Sequence, residues 1–236
     1  TGALSVTSSG AITQSGAIDA DSTAGFTAGA NAITLTNTSN DFSGAVSLSN
    51  SGSNDVALID ANALDLGTVA VGQNLTVTTA GALTDSGAIT VAGLAKIVST
   101  GQAVTLGDST SANFGSLDFA GAAVSIKEGS SMELAASEAT GGLSLEASGA
   151  ITQSGAIDAD STATFTAGAN GITLTNASND FTGAVSLNNS GANNVTIDDS
   201  NNLEFGTISI TTGDLNVDVA GTITQSGAIS VGGNSV

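Results

Sequence analysis

Histidine, cysteine, proline, tryptophan and tyrosine are all missing from the 236 residues, and the only two cationic side chains are Lys96 and Lys127. Without cysteine there are no disulfides and no thiolate metal sites, a composition that fits exported bacterial proteins. Without arginine no side chain can grip phosphate bidentately. Two lysines stand against 21 Asp and Glu, for a formal charge of −19. A surface that acidic repels a polyanion and releases few counterions, which argues against nucleic acid and against anionic membrane surfaces. No run approaches the ~20 continuous apolar residues of a membrane span, so no membrane insertion is expected. The opening Thr1-Gly2-Ala3-Leu4 has no basic region and no Met, so a signal peptide is expected to be absent or removed. Acid–base chemistry is left to carboxylates and two lysines, and no enzyme activity is expected.

What is present is repetition. Thr13-Gln14-Ser15-Gly16-Ala17-Ile18 returns at 152–157 and 224–229, and with one change at 84–89; the copies start 71, 68 and 72 residues apart. Residues 9–67 recur at 148–206 with an offset of 139. The segment between, Leu94–Gly142, is a diverged version of the same plan. Repetition at a period near 70 makes the fold an array rather than one closed core. Hydrophobic content of 40% suffices for folding, but only 3% is aromatic. Ala, Val, Ile and Leu suit a slim core between closely spaced backbones.

Within a period, apolar residues alternate over short runs bounded by Gly, Asn, Asp and Ser. Leu4-Ser5-Val6, Ile33-Thr34-Leu35, Val46-Ser47-Leu48, Leu75-Thr76-Val77 and Leu143-Ser144-Leu145 are examples. A period of two turns one face of a strand inward and the other outward. Helical spacing is sustained nowhere, and the 31 glycines argue against helix as well. The pattern predicts an all-β parallel β-helix (β-solenoid), right-handed, of about ten rungs, three to each ~70-residue period. The rungs begin near Leu4, Ala24, Ala45, Asn74, Leu94, Ala120, Leu143, Ala163, Ala184 and Asp214. The chain reads as one repetitive solenoid over 1–236, with repeat units 4–73, 74–142, 143–213 and a partial 214–236. An antiparallel sandwich would need hairpin signals at every turn, and Asp-Gly never occurs.

Asn40-Asp41-Phe42-Ser43-Gly44-Ala45-Val46, its twin at 179–185, and the runs Ala63–Val69 and Asn202–Ile208 resemble the repeat regions of filamentous-haemagglutinin-like adhesins and large autotransporter passengers of Gram-negative bacteria. The likeness covers essentially the whole chain. It implies a secreted or surface-held parallel β-helix, a stalk or fibre in adhesion, biofilm or cell-surface organisation.

Several residue groups invite a chemical reading. Lys127-Glu128 with Glu133 are the local candidates for catalysis, and a solvated face is the simpler role for Lys127. Asp19-Ala20-Asp21 and Asp158-Ala159-Asp160 place two carboxylates at i, i+2; Asp198-Asp199 and the run Asp55, Asp60, Asp65 add more. Calcium wants six to eight oxygens, usually from one tight loop. Solubilising charge is therefore expected, with no cofactor and weak Ca²⁺ binding left open. Thr34-Leu35-Thr36, Thr76-Val77-Thr78 and Thr173-Leu174-Thr175 match the local ice-binding pattern, but other strands break the array, so the threonines read as strand formers. Asn37, Asn40, Asn50, Asn54, Asn176 and Asn179 read as turn residues, tolerant of left-handed backbone and able to stack amides in ladders. No catalytic, cofactor or metal residue is assigned.

First and last rungs carry the same text, and neither shows a blunting device such as a cap helix or proline. Two readings follow: the chain is a cut-out from a much longer repeat protein, or copies of it stack end to end. In the second the expected partner is the chain itself, by end-to-end strand stacking, with surface glycans or neighbouring cells as the alternative. The expected function is a structural β-solenoid segment of a secreted or cell-surface bacterial adhesin or extracellular filament. The alternative is a glycan- or cell-binding module on a β-helix stalk.

Overall fold

A computed structural model describes residues 2–108 and 110–234; Thr1, the first residue of the expected solenoid span, lies outside them. The described residues hold strands and turns and no helix, and parallel strands stack into a β-solenoid of about 11 turns in all. Contacts divide the chain into two units, residues 1–120 and 121–236.

In the first unit three faces are built by in-register parallel pairing. Face 1 stacks Leu4–Thr7, Ala24–Thr27, Val46–Ser49, the second arm of Leu64–Val71 and the start of Ile89–Ser99. Face 2 stacks Ile12–Thr13, Ile33–Leu35, Val56–Asp60, Leu75–Thr79 and the second arm of Ile89–Ser99. Face 3 holds Asp19–Ala20 on Asp41–Phe42, then the first arm of Leu64–Val71 on Leu83–Asp85 and Val104–Leu106. The second unit repeats the plan. Its face 1 runs from Val124–Glu128 through Leu143–Ala147, Ala163–Thr166 and Val185–Asn189 to Ile229–Val231. Its face 2 runs from Met132–Leu134 through Ile151–Gln153, Ile172–Leu174 and Val195–Asp199 to Leu215–Val219. Its face 3 carries Ser137–Ala139, Ile157–Ala159, Asp180–Phe181 and Ile223–Gln225.

Alternation places Ile33, Leu35, Val46, Leu48, Leu75 and Val77 inward and buried in the first unit, with Ile172, Leu174, Val185, Leu187, Val195 and Ile197 in the second. Burying each such side chain is worth about 2 kcal/mol relative to leaving it in water. In each core a T-shaped phenylalanine pair packs across one turn, from face 1 to face 3. Phe26 and Phe42 lie 6.1 Å apart in one unit, Phe165 and Phe181 5.9 Å apart in the other.

The period does not hold a whole number of turns. From Leu4 to the residue before Leu75 the chain lays down Leu4–Thr7, Ile12–Thr13, Asp19–Ala20, Ala24–Thr27, Ile33–Leu35, Asp41–Phe42, Val46–Ser49, Val56–Asp60 and the two arms of Leu64–Val71. Ten segments shared among three faces make three and one third turns, where the sequence pointed to three. Each copy is consequently turned by one face. Leu4 lies on face 1 and its equivalent Leu75 on face 2, and Ile12 on face 2 has Leu83 on face 3. The second unit behaves alike: Leu143 on face 1 answers Leu215 on face 2, and Ile151 on face 2 answers Ile223 on face 3.

The corners show a second difference. No residue other than glycine has positive φ among the described residues, so the left-handed positions fall to glycines such as Gly29 and Gly168 (φ 52° and 54°) and not to asparagines. The Asn170-Gly171 pair makes no hairpin; Ile172 goes straight on into a parallel strand. Where face 3 passes into face 1, the pairing to Val46–Ser49 slips between Val46/Leu66 and Leu48/Val69. The slip seats Gly67 where a Cβ would come within 2.5 Å of Ser47 Oγ, and that hydroxyl accepts the Thr68 N–H at 3.1 Å. Gly206 and Thr207 repeat the arrangement against Ser186.

Turn-on-turn proximity generates a direct expectation. A Cβ on Gly44 would meet the Ser22 carbonyl carbon at 2.5 Å, whereas one on Gly16 would meet nothing within 4 Å. Gly44→Ala should cost about 2 kcal/mol by forcing backbone apart, and Gly16→Ala should be near neutral. Urea denaturation of the two variants measures the difference.

Candidate functional site

Three kinds of polar site arise from this coil: buried corners, outward carboxylate columns and hydroxyl faces. The corner between faces 2 and 3 is the most elaborate. Asn40 is fully buried there and forms a two-way amide clasp with Gln14 of the preceding turn: Gln14 Nε2 donates to Asn40 Oδ1 at 2.7 Å, and Asn40 Nδ2 donates to Gln14 Oε1 at 3.0 Å. Asn40 Oδ1 also accepts the Ile18 N–H at 2.9 Å, and Nδ2 reaches the carbonyls of Leu35 and Ile59. The second unit repeats each contact with Gln153 and Asn179, the clasp at 2.8 and 3.0 Å. These amides satisfy backbone groups that a tight corner strips from the strand ladders. They do not stack on one another: the next inward residues at this corner of the first unit are Asp60, Thr79 and Ser99. Asn50 and Asn189 do similar work at the corner after face 1, donating to Asn31 and Asn54 carbonyls and to Asn170 and Asn193 carbonyls.

The acidic run Asp55, Asp60, Asp65 is split by strand alternation into three separate roles. Asp55 accepts the Asn74 N–H, and Asp65 accepts the Ser86 hydroxyl. Asp60 turns inward, 1% exposed, and accepts the N–H groups of Phe42 and Asn62. Its twin Asp199 accepts the Phe181 N–H at 3.1 Å, while its Oδ2 meets no donor. Burial pushes both carboxyls above the ordinary 3.8; the neighbouring charges of Asp41 and Asp180 add to this, and the N–H bonds oppose it.

Outward, Glu138, Asp158 and Asp180 align on face 3 of the second unit, and Asp158 is raised by burial and then by Asp160, Asp180 and Glu138. The i, i+2 pair Asp158 and Asp160 does interact. Asp19 and Asp21 are both exposed, but Asp19 alone lies in a strand, in register with Asp41. Asp198 and Asp218 are in-register neighbours beside a 210 Å³ cleft lined by Ala177, Asp199 and Ser200, and burial followed by the Asp218 charge raises Asp198. Among the described residues no three His, Cys, Asp or Glu side chains are grouped to hold a metal ion.

Lys127 and Glu128 point to opposite sides of their strand. Lys127 Nζ sits 3.2 Å from Glu146 Oε2 in the adjacent strand, both half-exposed, whereas Glu128 is buried and bonded by the Ser130 hydroxyl. Glu133 lies on face 2, in register with Thr152. The three do not converge. The threonine motifs do not form a lattice either: Thr34 is flanked by Thr13 and Ala57, and Thr76 by Ala57 and Lys96. Because each period is turned by one face, equivalent positions of successive copies, such as Ser5 and Thr76, lie on different faces.

Fold and corners together define a parallel β-solenoid repeat protein. The chain belongs to a family described as repeats of unknown function (DUF5649), four copies of which match at residues 1–49, 53–118, 121–188 and 192–236. No curated protein and no solved structure matches it.

The clasp and the buried carboxylates are separately testable. Asn179→Ala leaves several buried backbone groups unpaired and should cost about 2–4 kcal/mol in chemical denaturation. Adding Gln153→Ala should cost less than a further full increment, because the two side chains act as one unit. A carboxyl whose pKa is higher in the folded chain contributes stability below its unfolded value, and that contribution fades as pH rises through the folded value. The thermal midpoint should therefore rise as pH falls from 7 toward 4. Asp199→Asn should flatten the dependence; a midpoint that drops on mild acidification contradicts the assignment.

Proposed function

We propose that this chain is a structural β-solenoid segment of a secreted or cell-surface bacterial adhesin or extracellular filament, supplying length, stiffness and repeated surface. One observation carries the reading: its elaborate side-chain constellations, the Gln14–Asn40 and Gln153–Asn179 clasps that tie turn to turn and the phenylalanine pairs packed within a turn, face inward. The outward carboxylates and hydroxyls are spread over strands rather than gathered around a reactive centre. In this reading the chain performs no catalysis and needs no cofactor. Its likeness to adhesin and autotransporter repeats, carried by Asn40–Val46 and its twin, supports the extracellular setting, as does the absence of cysteine.

A glycan-binding module is less well supported. All seven phenylalanines are buried and there is no Tyr or Trp, so no aromatic ring is offered to a sugar. Antibodies raised against the chain should label intact cells of the source organism. Labelling only after lysis contradicts the extracellular role. A saturable hit on a glycan array would replace the structural reading with the binding one.

A further inference from the structure

We propose that Asn170 is a self-modifying site: its side-chain amide is lost to attack by the Gly171 backbone nitrogen, leaving aspartate or isoaspartate at a corner that joins three turns. The proposal goes beyond the structural reading above and does not depend on it.

Of the chain's asparagines, Asn170 alone is followed by glycine. Cyclisation of an asparagine is governed by the residue after it, whose backbone nitrogen is the nucleophile. With no Cβ beside it, that nitrogen is open to close approach and its backbone is free to turn. Asn170 and Gly171 are half-buried and lie in the bend that enters Ile172–Leu174, outside any strand. Among the described residues the Gly171 N–H finds no acceptor, although its neighbours are both held. The Asn170 N–H donates to the Ala167 carbonyl at 2.9 Å, and the Ile172 N–H to the Asn194 carbonyl at 3.3 Å. The target amide is held too: Asn170 Nδ2 donates to the carbonyls of Ser148 and Ala167 at 2.9 and 3.3 Å.

The twin corner supplies an internal control. Asn31 stands 139 residues earlier and is followed by Ala32. Its Nδ2 is held in the same way, by the carbonyls of Ser9 and Ala28, both at 3.0 Å. The two amides share their anchoring and differ in the residue that carries the nucleophile.

The reaction consumes water alone. The Gly171 nitrogen bonds to Asn170 Cγ, and Nδ2 leaves as ammonia with the proton from the Gly171 N–H, closing a succinimide ring. Water then opens an imide C–N bond, its hydroxyl going to the carbonyl carbon and its proton to the nitrogen. Opening at Cγ gives aspartate. Opening at the main-chain carbonyl gives isoaspartate, whose backbone runs through Cβ and Cγ and is longer by a carbon. Either product undoes the corner. A carboxylate replaces the donor that faced the Ser148 and Ala167 carbonyls, so acceptor meets acceptor. Isoaspartate also turns the Asn170 carbonyl, which accepts Asn189 Nδ2 from the following turn, into a side-chain carboxylate. It displaces the Gly171 carbonyl, which accepts the Ile151 N–H of the preceding turn at 3.0 Å.

The test is peptide mapping by mass spectrometry of the full chain aged in mildly alkaline buffer. A methyltransferase specific for isoaspartate marks that product, and circular dichroism confirms the fold throughout. The peptide holding Asn170 should gain about 1 Da as amide becomes acid, and should accept methyl groups. It should react at least roughly tenfold faster than the peptide holding Asn31, because only its nucleophile lacks a Cβ. Gly171→Ala should slow Asn170 to the rate of Asn31, and Ala32→Gly should speed Asn31 to the rate of Asn170. Each exchange imports the residue that the twin corner already holds. The aged chain should melt at a lower temperature than the fresh chain, and Gly171→Ala should remove that loss. Equal rates at Asn31 and Asn170 overturn the proposal. So does an Asn170 that survives in the folded chain while a peptide of residues 165–176 reacts, or a modified chain that melts where the fresh one does.

Discussion

Everything in this fold depends on one turn being covered by the next. A turn of 19 to 23 residues contributes only two or three short strands, some of them two residues long, such as Asp19–Ala20 and Asp41–Phe42. Alone it could neither bury its apolar side nor pair its backbone. Stacked in parallel register it does both, because each inward side chain meets a like position one turn away and each strand finds partners on two edges. The stacking also explains the composition. Small and β-branched side chains fit a narrow coil, and glycine appears where neighbouring backbones come too close for a Cβ, as at Gly44 against Ser22.

Corners are where such a coil is most vulnerable, since strands end there and their backbone groups lose ladder partners. The chain answers with side-chain amides, and its two best-matched segments use the same answer. Gln14 with Asn40, and Gln153 with Asn179, tie successive turns together across 26 residues of sequence. Buried Asp60 and Asp199 cap the backbone of the second phenylalanine in each ring pair, so the polar corner and the apolar centre are positioned by the same few residues. A buried carboxylate without a cation is a costly way to accept an N–H bond. That cost links the stability of the coil to acidity.

Alternation of Ile33-Thr34-Leu35 or Leu75-Thr76-Val77 was enough to identify strands, and the recurring Thr-Gln-Ser-Gly-Ala-Ile text was enough to identify an array. The count of turns per period was not legible, because a strand such as Asp19–Ala20 turns a single side chain inward and leaves no periodic trace. The clasp was hidden for a different reason. Glutamine and asparagine at a chain reversal look like ordinary turn residues until the fold brings position 14 beside position 40. Likewise Asp55, Asp60 and Asp65 read as one acidic run, although strand alternation sends Asp60 inward and separates their duties. On the surface, the sequence listed acidic and threonine motifs correctly but could not foresee that successive copies face different directions. A ten-strand period on a three-sided coil forbids the single-faced array that lattice recognition requires.

The central claim is the rotation of each copy by one face, and dipolar EPR in the cysteine-free chain tests it most directly. With nitroxides at Thr13 and Thr76, both on face 2 and linked in register through Thr34 and Ala57, the account predicts a separation near three strand spacings, about 14 Å. With nitroxides at the sequence-equivalent Ser5 and Thr76 it predicts a distinctly longer distance. If the Ser5–Thr76 pair proves to be the close one, the period holds three whole turns and the account is wrong.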